Sequence, residues 1–227
     1  MDQASLLVIG AGPYGLAIAA RAKERGIETA IIGRPMSFWT DHMPDGMFLR
    51  SGTDWHLDAS GVHTFAAFVE ERGIASTDID PVPRSVFLDY VAWFEKQKNL
   101  AIRADLVARL ERRDGRFVAF MEDGSQITAE SVVAAPGCGY FRQLPDWAAT
   151  LPEGLGVHTC DLVHLDALAG ARVLIVGGRQ SAYEWAALLG DLVPGFSATR
   201  DFGPFFGFTK ACPAAATLIV DDLLGRP

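Results

Sequence analysis

The chain has 227 residues, 49% hydrophobic and 21% charged, enough apolar side chains for a sizeable core and not a disordered composition. Twenty Lys and Arg stand against 28 Asp and Glu, a formal net charge of −8, and no basic run breaks the acidic balance, which argues against nucleic acid as a partner. The three cysteines, Cys138, Cys160 and Cys212, are dispersed and odd in number, which argues against a disulfide framework or zinc site and for a reducing compartment.

Ser5–Ile9 reads as a short buried strand, followed by a glycine turn and a helical pattern over Leu16–Arg25 that Gly26 stops. The apolar N-terminal stretch lacks a basic flank and is interrupted by Gly10, Gly12, Pro13 and Gly15, unlike a signal peptide. No run approaches the ~20 apolar residues of a membrane helix. A cytoplasmic protein with no membrane partner is therefore the expectation. Glu28–Ile32 is a second buried strand, completing a βαβ unit with a parallel sheet. Residues 34–64 are irregular and rich in Trp, Met and His, a loop long enough to expect a functional role.

Helices are predicted over Thr64–Arg72 and Ser85–Gln97, the latter with Val86, Tyr90, Val91 and Phe94 on one face. Leu100–Val107 returns to the sheet. Arg109–Arg113, Arg116–Met121 and Ser125–Ala129 form an antiparallel meander turned by Asp114-Gly115 and Asp123-Gly124. Ser131–Ala135 is a further buried strand ending at Pro136-Gly137. Arg172–Val176, a second glycine turn over Gly177–Ala182 and a helix from about Ser181 to Leu189 repeat the opening strand–glycine–helix unit. His42, His56 and His158 carry no ligand-like spacing, so no metal site is expected.

Gly10-Ala11-Gly12-Pro13-Tyr14-Gly15 fits G-x-G-x-x-G between a strand and a helix. The first glycine permits the tight turn, the second lets a pyrophosphate approach the backbone, and the third lets helix and strand pack closely. The acidic residue usually found about 20 residues on, for a ribose hydroxyl, is replaced by Gly33-Arg34. Arg34 alone points to a 2′-phosphate at this site.

Four segments together resemble the flavin-containing monooxygenases and related flavoproteins with two dinucleotide-binding folds. They are the Gly10–Gly15 turn, the Phe38–Ser51 loop, the strand end Ala135-Pro136-Gly137 (where Pro136 stands in for a usual Thr) and the Val173–Ala182 segment. The resemblance covers residues 5 to about 190. It implies an α/β protein with a Rossmann-like FAD-binding domain over 1–150, parallel sheet and meander included, and a partial Rossmann-like NAD(P)-binding domain over 151–227. FAD is the implied cofactor at the first turn, with Gly33, Arg34, Trp39, Met47, Leu49 and Arg50 on its side and Val107 contacting adenine through its backbone. NADP(H) is the implied occupant of the second turn, through Gly177, Gly178, Gln180, Ser181 and Ala182, although Arg179 holds the place of that turn's middle glycine. The implied activity is hydride transfer to the flavin, then oxygenation of a small nitrogen, sulfur or carbonyl substrate. No catalytic side chain is legible, because the cofactor carries the chemistry.

Residues 201–227 lose periodicity and cluster Phe202, Phe205, Phe206 and Phe208 among glycines. The length after residue 190 is short for the rest of a second fold, so a truncated chain is expected, with self-association through an aromatic tail. The alternative to an enzyme is a module that holds FAD weakly and turns nothing over. A disulfide reductase would need a close cysteine pair, which is absent.

Overall fold

The computed structural model describes residues 2–49 and 53–192. Arg50 and the aromatic tail lie outside the described residues. The chain divides into two compact units, one of Met1–Met43 with Phe48–Asp146, the other of Pro44–Met47 with the chain from Trp147 onward.

In the first unit, β1 (Asp2–Ile9) runs into α1 (Pro13–Glu24) and back to β2 (Thr29–Ile32). Small residues let α1 lie close on the sheet: Gly15, Ala19, Ala20 and Ala22 are buried beside Leu16. Gly26 ends the helix in a left-handed conformation, and the Ile27 N–H closes back on the Ala22 carbonyl. Two short elements, α2 (Ser37–Asp41) and β3 (Phe48–Leu49), occupy the stretch predicted to be irregular. Next, α3 (Phe65–Glu71) is capped by the Thr64 hydroxyl, which accepts from the Ala67 N–H at 3.1 Å. The two-residue β4 (Val82–Pro83) pairs with β3 and leads into α4 (Arg84–Gln97). That helix buries Phe87, Tyr90, Val91 and Phe94, an i, i+3, i+4, i+7 stripe, against Phe65, Phe68 and Leu16.

The chain then enters β5 (Ile102–Arg103), β6 (Val107–Arg113), β7 (Arg116–Met121) and β8 (Gln126–Ala134). The sheet order is β5-β2-β1-β8-β7-β6, parallel from β5 to β8 and antiparallel from β8 to β6. Asp114 and Gly115, both at positive φ, make the β6–β7 hairpin turn. The sequence reading split β8 into two strands at Glu130. It is one strand, because β1 pairs along it from Ile127 to Ala134 and Glu130 lies outward on Arg116 at 2.7 Å. In a flat sheet five strand spacings, about 24 Å, would separate β5 from β6. The step from Arg103 to Val107 reaches only about 14 Å. The sheet therefore curls until its edges approach, and Arg103 ties them by bonding Asp123 in the β7–β8 turn at 2.6 Å.

In the second unit, α5 (Gln180–Leu192) follows the second glycine turn as expected. The strand predicted over Arg172–Val176 is not formed: among the described residues it has no ladder partner, and Val173, Leu174 and Val176 are exposed. Apolar composition alone does not make a strand; neighbouring backbones must supply the bonds. No helix among the described residues is long and apolar enough to cross a membrane.

Candidate dinucleotide site

The C-terminal ends of β1, β2 and β8 meet at the first glycine turn. The Gly10 N–H donates to the Ile32 carbonyl at 2.7 Å, and the Ala135 N–H to the Ile9 carbonyl at 2.7 Å. Each glycine has its own reason to be there. Gly10 has φ +111°, and a Cβ on it would stand 2.0 Å from the Ala135 carbonyl oxygen. A Cβ on Gly15 would stand 1.9 Å from the Gly10 carbonyl oxygen, so the close approach of α1 to β1 needs its absence. A Cβ on Gly12 would meet nothing within 4 Å among the described residues. Its missing side chain serves space outside the protein, at the start of a helix that no side chain caps. Pro13 at the first helical position has no N–H to offer. The Tyr14 and Gly15 N–H groups and the helix dipole face that space, which is what a pyrophosphate requires.

Gly33 explains the missing carboxylate. A Cβ there would lie 2.7 Å from the Ala11 backbone nitrogen, so β2 ends too close to the turn to carry any side chain. Arg34, next along, is exposed. Pro136 and Gly137 follow Ala135 and are exposed at the same end of the sheet. The second turn, by itself, repeats part of this pattern. Gly178 meets nothing within 4 Å, and Ala182 closes on the Arg179 carbonyl at 3.0 Å. Gln180 and Ser181 open α5, while a Cβ on Gly177 would meet only the Ala182 methyl, at 3.3 Å.

Residues 7–192 match the family described as pyridine nucleotide-disulphide oxidoreductase. The chain belongs to that family. It is a family of FAD- and NAD(P)-binding oxidoreductases. A ferredoxin–NADP reductase from Salinispora arenicola is 30% identical over 83% of the chain and 52% of the relative. An FAD-dependent urate hydroxylase from Xanthomonas campestris is 33% identical over 53% of the chain and 27% of the relative. The chain thus spans about half or less of these curated relatives. Among solved structures, a flavin-containing monooxygenase from Stenotrophomonas maltophilia shares the fold with TM-score 0.66 at 24% identity, over 85% of this chain and 56% of that one. An ornithine hydroxylase from Pseudomonas aeruginosa does so with TM-score 0.64 at 22% identity, over 83% of this chain and 52% of that one.

The remaining site residues of this oxidoreductase-family chain fall in several places. Trp39 lies on α2 with its ring 4.5 Å from that of Phe87, and Leu49 on β3 packs on the same core. One nitrogen of Arg84 donates to the Trp39 and Met43 carbonyls, each at 2.7 Å, and so holds the loop from α4. Met47 belongs to the second unit. Val107 opens β6 opposite Met121. The structure thus gathers Gly10, Gly12, Gly15, Gly33 and Ala135 at one sheet edge.

Sequence reasoning missed the latch that fixes the loop. Asp58, 1% exposed, accepts from the Ser60 N–H at 3.0 Å, the His63 N–H at 2.7 Å and the Lys98 ammonium at 2.7 Å. Lys98 also bonds Glu24, at the far end of α1, at 2.5 Å. Burial pushes the Asp58 carboxyl up, but Lys98 and the donors of His63 and Ser60 outweigh it and hold the group well below the usual carboxylate range. The Tyr90 hydroxyl joins the same loop, donating to the His63 carbonyl and accepting from the Leu57 N–H, and burial pushes it up to about 12. Asp58 with Ser60 two residues on was a readable turn signal. Lys98, 40 residues away, had none.

Proposed function

We propose that this chain binds FAD with its pyrophosphate over Gly12, and that it is an NAD(P)H-using oxidoreductase of the flavin monooxygenase type. Bound FAD would supply the redox chemistry, taking hydride from NAD(P)H and passing electrons to oxygen for transfer to a small nitrogen, sulfur or carbonyl substrate. The single observation that carries the reading is Gly12, a glycine for which no atom of the described residues gives a reason. The chain's own part is to hold and shield. The uncapped turn of α1 binds the diphosphate, Gly10 and Gly15 let backbone and helix close around it, Arg84 holds the stretch from Trp39 to Met43, and the Asp58–Lys98 pair fastens residues 58–63 to the far end of α1. In this reading the first domain, 1–150, holds FAD and the second, 151–227, receives NAD(P)H at Gly177–Ala182.

A second reading, a module that holds FAD without turnover, is favoured by the unladdered Arg172–Val176 segment. An anaerobic absorbance titration with FAD and then NADPH separates the two. Flavin binding followed by bleaching supports the enzyme, binding without bleaching supports the module, and absence of flavin binding sinks both.

A further inference from the structure

The dinucleotide reading leaves one group unaccounted for. Folds of this kind place a carboxylate at the end of the second strand for the ribose hydroxyls. Here that place is Gly33, where no side chain fits. The neighbouring strand ends at the same level: β5 runs parallel to β2 with Arg103 opposite Ile32. The Gly33 N–H donates to the Arg103 carbonyl at 3.0 Å, and the Asp105 N–H donates to the same oxygen at 2.9 Å. Asp105 therefore stands about one strand spacing, ~4.8 Å, from the line of β2, just past the sheet's C-terminal edge.

Its carboxylate is incompletely used. Oδ1 accepts from the Leu106 N–H at 2.7 Å, but Oδ2 has no hydrogen-bond donor among the described residues. Its cation, the Arg103 guanidinium, stays at 3.5 Å, an ion pair without a hydrogen bond. Asp123, the other carboxylate on Arg103, is filled by the Ser125 N–H and hydroxyl as well as by the guanidinium. A sheltered carboxylate oxygen without a donor is costly, and a ligand hydroxyl would remove that cost. The Asp105 side chain as a whole keeps 17% of its surface open, while Oδ2 itself is buried, an orphaned acceptor one strand away from Gly33. We propose that Asp105 supplies, from β5, the carboxylate that β2 lacks, and accepts a hydrogen bond from the adenosine ribose of the bound dinucleotide. A carboxylate there also repels a 2′-phosphate, which outweighs the opposite hint from exposed Arg34.

The inference rests on the FAD reading of the first turn, and the test keeps the two apart. FAD bound to the full chain is displaced with ADP and with 2′-deoxy-ADP. The wild type is expected to bind ADP about tenfold more tightly, the effect of one hydrogen bond to a charged group. Asp105→Ala and the volume-preserving Asp105→Asn should weaken ADP and leave 2′-deoxy-ADP unchanged, bringing the ratio close to one. A wild type that binds FAD but does not distinguish the two nucleotides overturns the proposal. So does a substitution that weakens both equally, the mark of a packing role through Arg103. A wild type that binds no FAD overturns the cradle reading and this one with it.

Discussion

The two glycine turns carry similar letters and differ in what surrounds them. The strand before the first is paired on both sides, and the carbonyls of Ala135 and Gly10 press on it so closely that two of its glycines are compulsory. The segment before the second has no ladder among the described residues, and there Gly177, which its φ of +156° still reserves for glycine, has only a methyl group against it. What they share is the open glycine, Gly12 in one and Gly178 in the other. A glycine motif therefore encodes two separable things: fit to its own sheet, and room for a ligand. The first turn has both, while the second shows the room without the fit.

Substitutions at and around the two turns test this contrast. The largest effect is expected from Gly15→Ala, whose new methyl would meet the Gly10 carbonyl. It should cost roughly 3 kcal/mol or more in thermal unfolding and abolish flavin retention. Gly177→Ala, strained by its φ of +156° but meeting no backbone atom among the described residues, should cost less, about 1–2 kcal/mol. Equal losses at the two positions would erase the distinction drawn between the turns.

The next test removes the anchor at the far end of the first turn's helix. Lys98→Met leaves Asp58 buried and unpaired, with an expected loss of about 3–5 kcal/mol by denaturant titration. The pH dependence has a definite sign. Because the folded carboxyl of Asp58 is depressed, its contribution is complete above the unfolded value of 3.8 and fades as pH falls below it. Asp58→Asn should therefore flatten the acid limb of the stability curve below about pH 4.

A smaller loss, about 1–3 kcal/mol, is expected for Tyr90→Phe, which strands the half-buried Leu57 N–H and His63 carbonyl. Here the folded value is raised from 10.0 to about 12, so the wild type should lose stability as pH climbs through that interval, and the variant should not. The smallest change in stability, within about 1 kcal/mol, belongs to Gly12→Ala. Its flavin affinity should nonetheless fall about tenfold or more, measured by fluorescence quenching. An unchanged affinity would remove the observation on which the proposed function rests.

How much of this could be read beforehand follows from the range of the interactions. The βαβ unit and the Asp114-Gly115 hairpin are written in local spacing and are present, as is the apolar stripe of α4 except that Phe87 is buried where Val86 was expected. In the loop after β2, α2 and β3 were not legible, because both are short and are held by Arg84 from more than 40 residues away. Glu130 disguised the continuity of β8, since a charged residue facing outward looks like a break until its neighbour Arg116 is known. The Arg172–Val176 strand failed in the opposite direction, with strong local composition and no partner among the described residues. In the site, Gly33 was legible as a departure. Its cause, the Ala11 nitrogen 2.7 Å from where a Cβ would be, was not.

The curl of the six-stranded sheet also bears on how the first unit comes apart. The crossing from Arg103 to Val107 is too short to let β6 leave while β5 stays, and Arg103 fastens the same joint to the β7–β8 turn. The two edges are therefore mechanically coupled, and the meander cannot fray as an independent flap. Amides in β5 and in β7 should exchange with solvent through one common opening, at the same rate and with the same response to denaturant.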